Sequence, residues 1–211
     1  MTSVANPSPM AQCLGTQWAQ LHPTLQAHHA GGRVMEVGAL DVEFPRWMAP
    51  VVWCLKWVGA LVHRAQPQVQ TVVNKETTAA GQAFDRTLTY ADGEVLRFNS
   101  RWVAEPQGRL VEYVQPWLAL ELAPRVVGDT LHCEGVCFIV RLGPLQLRLS
   151  ERWLLGHTVI REHALDAHRY AMDFRMIHPW LGEVFRYAGT FSTDENASRW
   201  PAGPCSSHGK A

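Results

Sequence analysis

From about residue 68 onward the hydrophobic period of this chain is two, and it stays two for more than a hundred residues. "QVQTVVNKETT", "QAFDRTLTY", "EVLRFNSRWV", "RLVEYVQPWLALEL", "TLHCEGVCFIV", "LQLRLSERWLL", "TVIREHALDA" and "RYAMDFRMI" each alternate, and turn-forming stretches such as "ADG", "EPQG", "VGD" and "LGP" separate them. Successive strands joined by short turns pair antiparallel. The spacing predicts a meander of about nine or ten strands. A sheet that long leaves exposed edges unless it closes or is covered. The expected fold is therefore mainly β with N-terminal helices (α+β), a curved barrel or half-barrel with helices packed on it; an orthogonal sandwich is the near alternative.

The segments ahead of the meander read differently. "MAQCLGTQWAQLHPTLQAHH" (10–29) places Leu14, Trp18 and Leu21 at helical spacing, with Pro23 kinking or restarting the helix. "RVMEVGALDVEF" (33–44) reads as a first strand. "WMAPVVWCLKWVGALV" (47–62) reads as a short apolar helix, but with sixteen residues and a central Lys56 it does not make a transmembrane span. Residues 1–9 read as a flexible start, 10–191 as one domain, and 192–211 as a disordered polar tail.

Composition excludes some function classes. Lys plus Arg and Asp plus Glu number 19 each, so no net charge draws the chain to nucleic acid. Five cysteines without a signal-like N-terminus argue against a secreted disulfide framework and place the chain in a reducing cytoplasm. Cys133 and Cys137 on one strand would lie roughly 13 Å apart, too far for one zinc ion. His28 and His29 at a helix end read as carbonyl caps. No metal and no cofactor is expected. No G-x-S-x-G elbow and no H-E-x-x-H occurs, and catalytic residues are not assigned.

Several polar residues sit in phase with apolar ones. Arg97 and Arg101 share a face of "VLRFNSRWV" and would bind an anionic group if that face is interior; the opposite face carries Leu96, Phe98 and Trp102. Glu112 is flanked in phase by Leu110 and Val114; a carboxylate on an apolar face either does acid–base work or, more often, meets one of the many arginines. "REHALDAHRYAMDF" (161–174) gathers Glu162, His163, Asp166, His168 and Asp173 and reads as a solvated hairpin. In "HPWLGEVFRYAGTF" (178–191), His178-Pro179 ends one strand, and Gly182 is free to take positive φ. The last strand then sets Phe185, Tyr187, Gly189 and Phe191 against Val184, Arg186, Ala188 and Thr190. The aromatic face is the expected core.

"LGTQWAQLHPTLQAHH", "FDRTLTY…RFNSRW", "GRLVEYV" and above all "YAMDFRMIHPWLGEVFRYAGTF" follow one another in the order and spacing of a known family. Over residues 14–191 the chain resembles the bacterial family called domain of unknown function 4166. "EYVQPWLALEL" departs from the family's usual Gly-Pro after Glu-Arg, which changes the local turn. Members of that family occur alone or joined to dehydrogenase-like or epimerase-like Rossmann domains. This sequence carries none, so the resemblance implies no nicotinamide chemistry and supplies no catalytic residue. The expected function is a barrel module binding a hydrophobic or lipid-like small molecule. Its expected ligand-binding residues are His178, Arg186, Tyr187, Glu112, Arg97 and Arg101. Trp47, Trp53 and Trp57 are expected to form a lid or to touch a membrane surface. The alternatives are an enzyme acting on such a ligand, with Asp173 as a further candidate, and a filled-core domain that binds a protein.

Overall fold

The computed structural model describes residues 7–57 and 62–193. The expected helix over 10–29 is broken into three pieces: α1 (Pro9–Leu14), a 3-10 segment (Gly15–Gln20) and α2 (Pro23–His28). Gly15, at φ 52°, ends α1, while Pro23 opens α2 rather than kinking a longer helix. His22 caps α2, its Nδ1 accepting from the Thr24 backbone N–H at 3.2 Å. The chain then forms β1 (Arg33–Glu43), a 3-10 turn and α3 (Ala49–Lys56). The meander follows: β2 (Gln66–Thr78), β3 (Gly81–Thr89), β4 (Val95–Glu105), β5 (Arg109–Gln115), β6 (Leu118–Val127), β7 (Thr130–Leu142) and β8 (Leu145–Leu149). A single helical turn, α4 (Glu151–Leu154), leads into β9 (His157–Ala164), β10 (Arg169–His178) and β11 (Gly182–Ser192). Of the helix expected over 47–62, only Ala49–Lys56 is α-helical; residues 58–61 lie outside the described residues, as do 1–6 and 194–211 of the expected flexible ends.

The sheet closes. Each strand from β1 to β7 pairs antiparallel with the next, β9, β10 and β11 pair in turn, and β11 returns to β1 from Val37↔Ser192 to Glu43↔Arg186. The ring is completed where the first half of β7 meets β9, at Leu131↔Glu162 through Glu134↔Val159. β8 stands outside it, paired only with the second half of β7. The result is a ten-strand antiparallel barrel, β1–β7 and β9–β11. Closure leaves no unpaired edge in the ring, which is why so long a meander is stable alone.

Alternation then fixes what faces inward. Leu40 and Val42 of β1, Val69 and Val73 of β2, Phe84 and Leu88 of β3, Phe98 and Trp102 of β4, and Phe174 and Met176 of β10 all lie in one buried cluster. On β11 the face expected to be core is core: Phe185 and Phe191 are buried there, and Tyr187 packs against the same cluster. Gly182 takes φ 73° at the β10–β11 turn. Met10, Leu14, Leu21 and Leu25 belong to the cluster too. Through them α1 packs on the ends of β4, β5 and β6, and α2 on β9 and β10. This is the helical end of the barrel. At the distal end, Met48 and Val52 anchor α3 in the core, while Trp47, Trp53 and Trp57 stay exposed.

The seam between β1 and β11 depends on two glycines. A Cβ at Gly38 would fall 2.2 Å from the Thr190 carbonyl oxygen, and one at Gly189 would fall 2.0 Å from that of Ala39. Both obstacles are backbone, so neither can give way without opening the ladder. Replacing Gly189 with Ala should cost at least about 1–3 kcal/mol, as overpacking does. Thermal unfolding followed by circular dichroism should show Tm falling by about 2–4 °C per kcal/mol; an unchanged Tm would mean the seam is not tight.

Candidate functional site

Six ionisable side chains, from four strands and the C-terminal end of α2, meet inside the barrel near its helical end. Glu36 of β1 and Lys75 of β2 both point inward because they are in phase with Leu40 and Val42, and with Val69 and Val73. Lys75 Nζ donates to Glu36 Oε1 at 2.7 Å and to the His28 carbonyl at 2.5 Å. His28 Nδ1 lies 2.6 Å from the same Glu36 oxygen, and the Tyr170 hydroxyl donates to the other at 2.9 Å. The second carboxylate, Glu162 of β9, takes His29 Nε2 at 2.6 Å and has His28 Nε2 at 3.6 Å. His28, His29, Glu36, Lys75 and Glu162 are all at most 5% exposed, so these contacts operate without water screening them.

The protonation of the cluster follows from that burial. Burial alone would raise the carboxyl of Glu36, but His28 and Lys75 bring it down to about 2. Glu162 is likewise lowered, against burial, by His29 and His28. Burial lowers Lys75, and its attraction to Glu36 offsets this only in part. The two adjacent histidines part company. Burial acts downward on His28, yet Glu36 and Glu162 outweigh it and its pKa stands above the usual imidazole value. His29 is pulled down to about 4, by burial first and then by His28. Burial also pushes the Tyr170 phenol well up, so it stays a donor.

Above this floor the barrel is hollow. One lobe is lined by His28, Glu36, Glu162 and Tyr170 on its polar side and by Leu40, Val73, Leu88, Trp102 and Ile160 on its apolar side. A second lobe toward the distal end is lined by Val114, Leu118, Leu120, Phe138, Leu155 and Met176. Val62, Phe98, Glu112 and Tyr187 line both. The centre of a water-sized sphere can sweep ≈ 50 Å³ in each lobe, enough for a few waters or for part of a small apolar molecule. Between them sits a second ion pair. Arg86 lies across the rings of Phe84 and Phe98, at 4.9 and 5.2 Å, donates to Ser100 Oγ at 2.8 Å and approaches Glu112 at 3.5 Å.

The six residues expected to bind a ligand divide. Glu112 and Tyr187 line the cavity, and Tyr187 stacks on Phe174 at 4.5 Å. Arg97 and Arg101 are on the outer wall, where the guanidinium of Arg101 covers the Tyr113 ring; their inward neighbours are Phe98 and Trp102. Arg186 is also external, held by Asp173 at 3.0 Å and by Glu43 at 3.6 Å. His178 is buried at the distal end, with its Nδ1 accepting from the Trp180 backbone N–H at 3.3 Å. The interior groups that sequence reasoning does not single out are Glu36, Lys75, Arg86 and Tyr170; Glu162, expected in a solvated hairpin, is buried, and His28 and His29, expected to cap carbonyls, instead meet the buried carboxylates of Glu36 and Glu162. The signal for each was its phase with buried apolar neighbours, as in "FDRTL" for Arg86. The four cysteines among the described residues are unpaired; Cys133 lines the cavity while Cys137 faces Glu121, the strand having slipped register between them.

A closed antiparallel barrel with a polar floor, an apolar cavity and a helical plug defines the class of this domain. Within that class, the family model described as Domain of unknown function (DUF4166) matches residues 21–191, and the chain belongs to that family. No curated protein and no solved structure matches the chain. Among the described residues, no helix is long and apolar enough to cross a membrane.

The charge balance of the floor gives a direct test. Lys75→Met leaves Glu36 buried without its ammonium partner and should cost about 3–5 kcal/mol at neutral pH. In the wild type the stability contributed by Glu36 is present above its unfolded value of 4.5 and is lost as pH falls toward about 2. In the variant Glu36 takes up a proton more readily, so the gap between the two proteins should narrow across that window. Urea unfolding at several pH values reads this out, and a constant gap would mean the two groups are not coupled.

Proposed function

We propose that this domain binds a small, largely apolar molecule with one polar end inside the barrel. The observation that carries this reading is the cavity itself. Its walls are apolar and aromatic, and its few polar groups converge on one end, the usual chemistry of a small-molecule site. A filled-core domain serving only as a protein partner has no use for such a hollow. The polar end of the ligand would meet Tyr170, His28 and Glu162, and the apolar body would lie against Phe98, Tyr187 and Met176. Access would be from the distal end, past Val62, with the α3 segment as a lid. Trp53 and Trp57 face away from the core and meet edge-on at 6.0 Å, which suits contact with an apolar or membrane surface during loading.

An enzymatic reading is favoured by one observation: proton-carrying groups, Tyr170, His28 and the two glutamates, line the same cavity as the apolar walls. A ligand seated there would meet a buried donor and a buried base together. It supports the floor, rather than His178, as the seat of any chemistry.

Both readings require that the cavity take up a molecule. Titration with 1-octanol and with octanoate should raise Tm by mass action. Val73→Phe, which fills the first lobe from its wall, should remain folded and lose that shift. Organic extraction of the purified chain followed by mass spectrometry should recover a bound compound. If neither alcohol nor acid shifts Tm and extraction yields nothing over several preparations, the barrel is not a ligand carrier.

A further inference from the structure

The structure assigns a divalent metal site to His28, His29 and Glu162, at the floor of the barrel. One ligand atom from each of these residues lies within 4.8 Å of the other two, and all three residues are buried. The local geometry explains how two adjacent residues can serve one ion. His28 is the last residue of α2 and His29 its C-cap, at φ −93° and ψ 12°. The departure from helix swings the second ring round, and the two imidazoles stand nearly edge to face with centroids 4.1 Å apart. Both present Nε2 to the same oxygen of Glu162, at 3.6 and 2.6 Å.

For His28 the surrounding groups are those that a metal-bound histidine requires, whereas His29 Nδ1 is buried without a hydrogen-bond partner among the described residues. His28 gives its other nitrogen, Nδ1, to the carboxylate of Glu36 at 2.6 Å. With Nδ1 donating to Glu36, Nε2 is left as a ligand, the outer-shell pattern that orients and strengthens metal-bound imidazoles; Lys75 Nζ also lies 2.8 Å from that Nδ1. Glu36 is itself held by Lys75 and Tyr170. The direct ion pairs are divided between the two carboxylates. Lys75 pairs directly with Glu36, whereas Glu162 pairs with the two imidazoles. A buried carboxylate needs positive charge beside it, and a divalent ion supplies it.

Two imidazoles and one carboxylate suit a first-row divalent cation of intermediate softness, zinc or ferrous iron, rather than calcium or magnesium. His28 and Glu162 also line the cavity. An ion among these three ligands therefore keeps a coordination position toward it, as metal sites that act on a substrate do. The site does not depend on the hydrophobic-ligand reading. If both hold, the ion would face the polar end of the bound molecule.

The test uses the full chain, stripped with a chelator and titrated with zinc by calorimetry and with cobalt(II) by visible spectroscopy. One equivalent should bind. His29→Gln and Glu162→Gln should each abolish stoichiometric binding. Glu36→Gln should weaken it about 10- to 100-fold, as loss of an outer-shell partner does, and the surface replacement His163→Gln should leave it unchanged. X-ray absorption on the zinc-loaded wild type needs no variant to fold: nitrogen and oxygen ligands with two imidazoles support the site. Absence of stoichiometric binding by the folded wild type, a sulfur ligand, or binding that survives both His29→Gln and Glu162→Gln would overturn it. Octanol binding by chelator-treated protein distinguishes failure of this site from failure of the cavity reading.

Discussion

The carboxylate of Glu36 joins four separate pieces of chain, and much of the interior is arranged around it. It is carried by β1 and receives Lys75 from β2, Tyr170 from β10 and His28 from the end of α2. Those partners lie 39, 134 and 8 residues away in sequence. A ten-strand ring encloses more space than side chains readily fill, since about eight strands already match their reach. Here part of that space is taken by charged groups that satisfy one another, and the remainder is left as cavity. The network also explains why so short a helix can plug the barrel. α2 is only 6 residues long, too short to be stable alone. It is held by Leu25 in the core and by two histidines in the network.

Buried ion pairs stabilise less than their Coulomb energy suggests, because both partners lose their hydration. An apolar floor of the same volume would serve the fold as well. Stability therefore does not by itself account for two carboxylates, a lysine, two histidines and a tyrosine in one buried layer; the proposed ligand and metal readings give them a role. Arg86 and Glu112 extend the same logic one level up the barrel, where Arg86 lines the first lobe and Glu112 lines both.

The architecture was largely legible because it rests on local signals. A period of two, regular turns and an aromatic face on "VFRYAGTF" require only near neighbours in sequence, and together they predict a meander with a known core side on its last strand. The site was not legible, and the reason is physical. Each contact that defines it joins separate elements, from the neighbouring strands that carry Glu36 and Lys75 to the helix and strands that bring His28 and Tyr170, and single-strand patterns do not show which elements meet. The cluster 161–174 shows the difficulty. Read as a unit it is a polar hairpin, but pleating sends Glu162 inward and His163 outward, so only one of the two belongs to the site. Arg186 shows the converse: its phase with small residues marked it as unusual, but those residues form the outer wall, where it pairs with Asp173. A charged residue in phase with large apolar neighbours, as Lys75 is with Val69 and Val73, was the more informative pattern.

The two ends of the barrel differ in a way that orients whatever enters it. The helical end is sealed by Met10, Leu14, Leu21 and Leu25 and carries the charged floor beneath that seal. The distal end carries exposed apolar side chains instead. Besides Trp47, Trp53 and Trp57 it presents Trp153 and Trp180 in mutual contact at 5.2 Å, with Leu142, Leu145, Leu154 and Leu181 also exposed. Strand β8 and α4 help to build that rim, and Gly135 makes room for them. There β7 passes from β9 to β8 and the buried carboxylate of Glu151 fills the space a side chain would need, accepting from the Thr158 backbone. Exposed aromatics at the mouth and buried charge at the floor set a gradient along one axis. Under the proposed reading, a molecule with a polar head is held best with its head at the floor, where it would exchange water for Tyr170, His28 and Glu162, and its tail against the apolar wall above. The same gradient works in reverse for a purely polar solute, which the rim would not attract and the upper lobe would not stabilise.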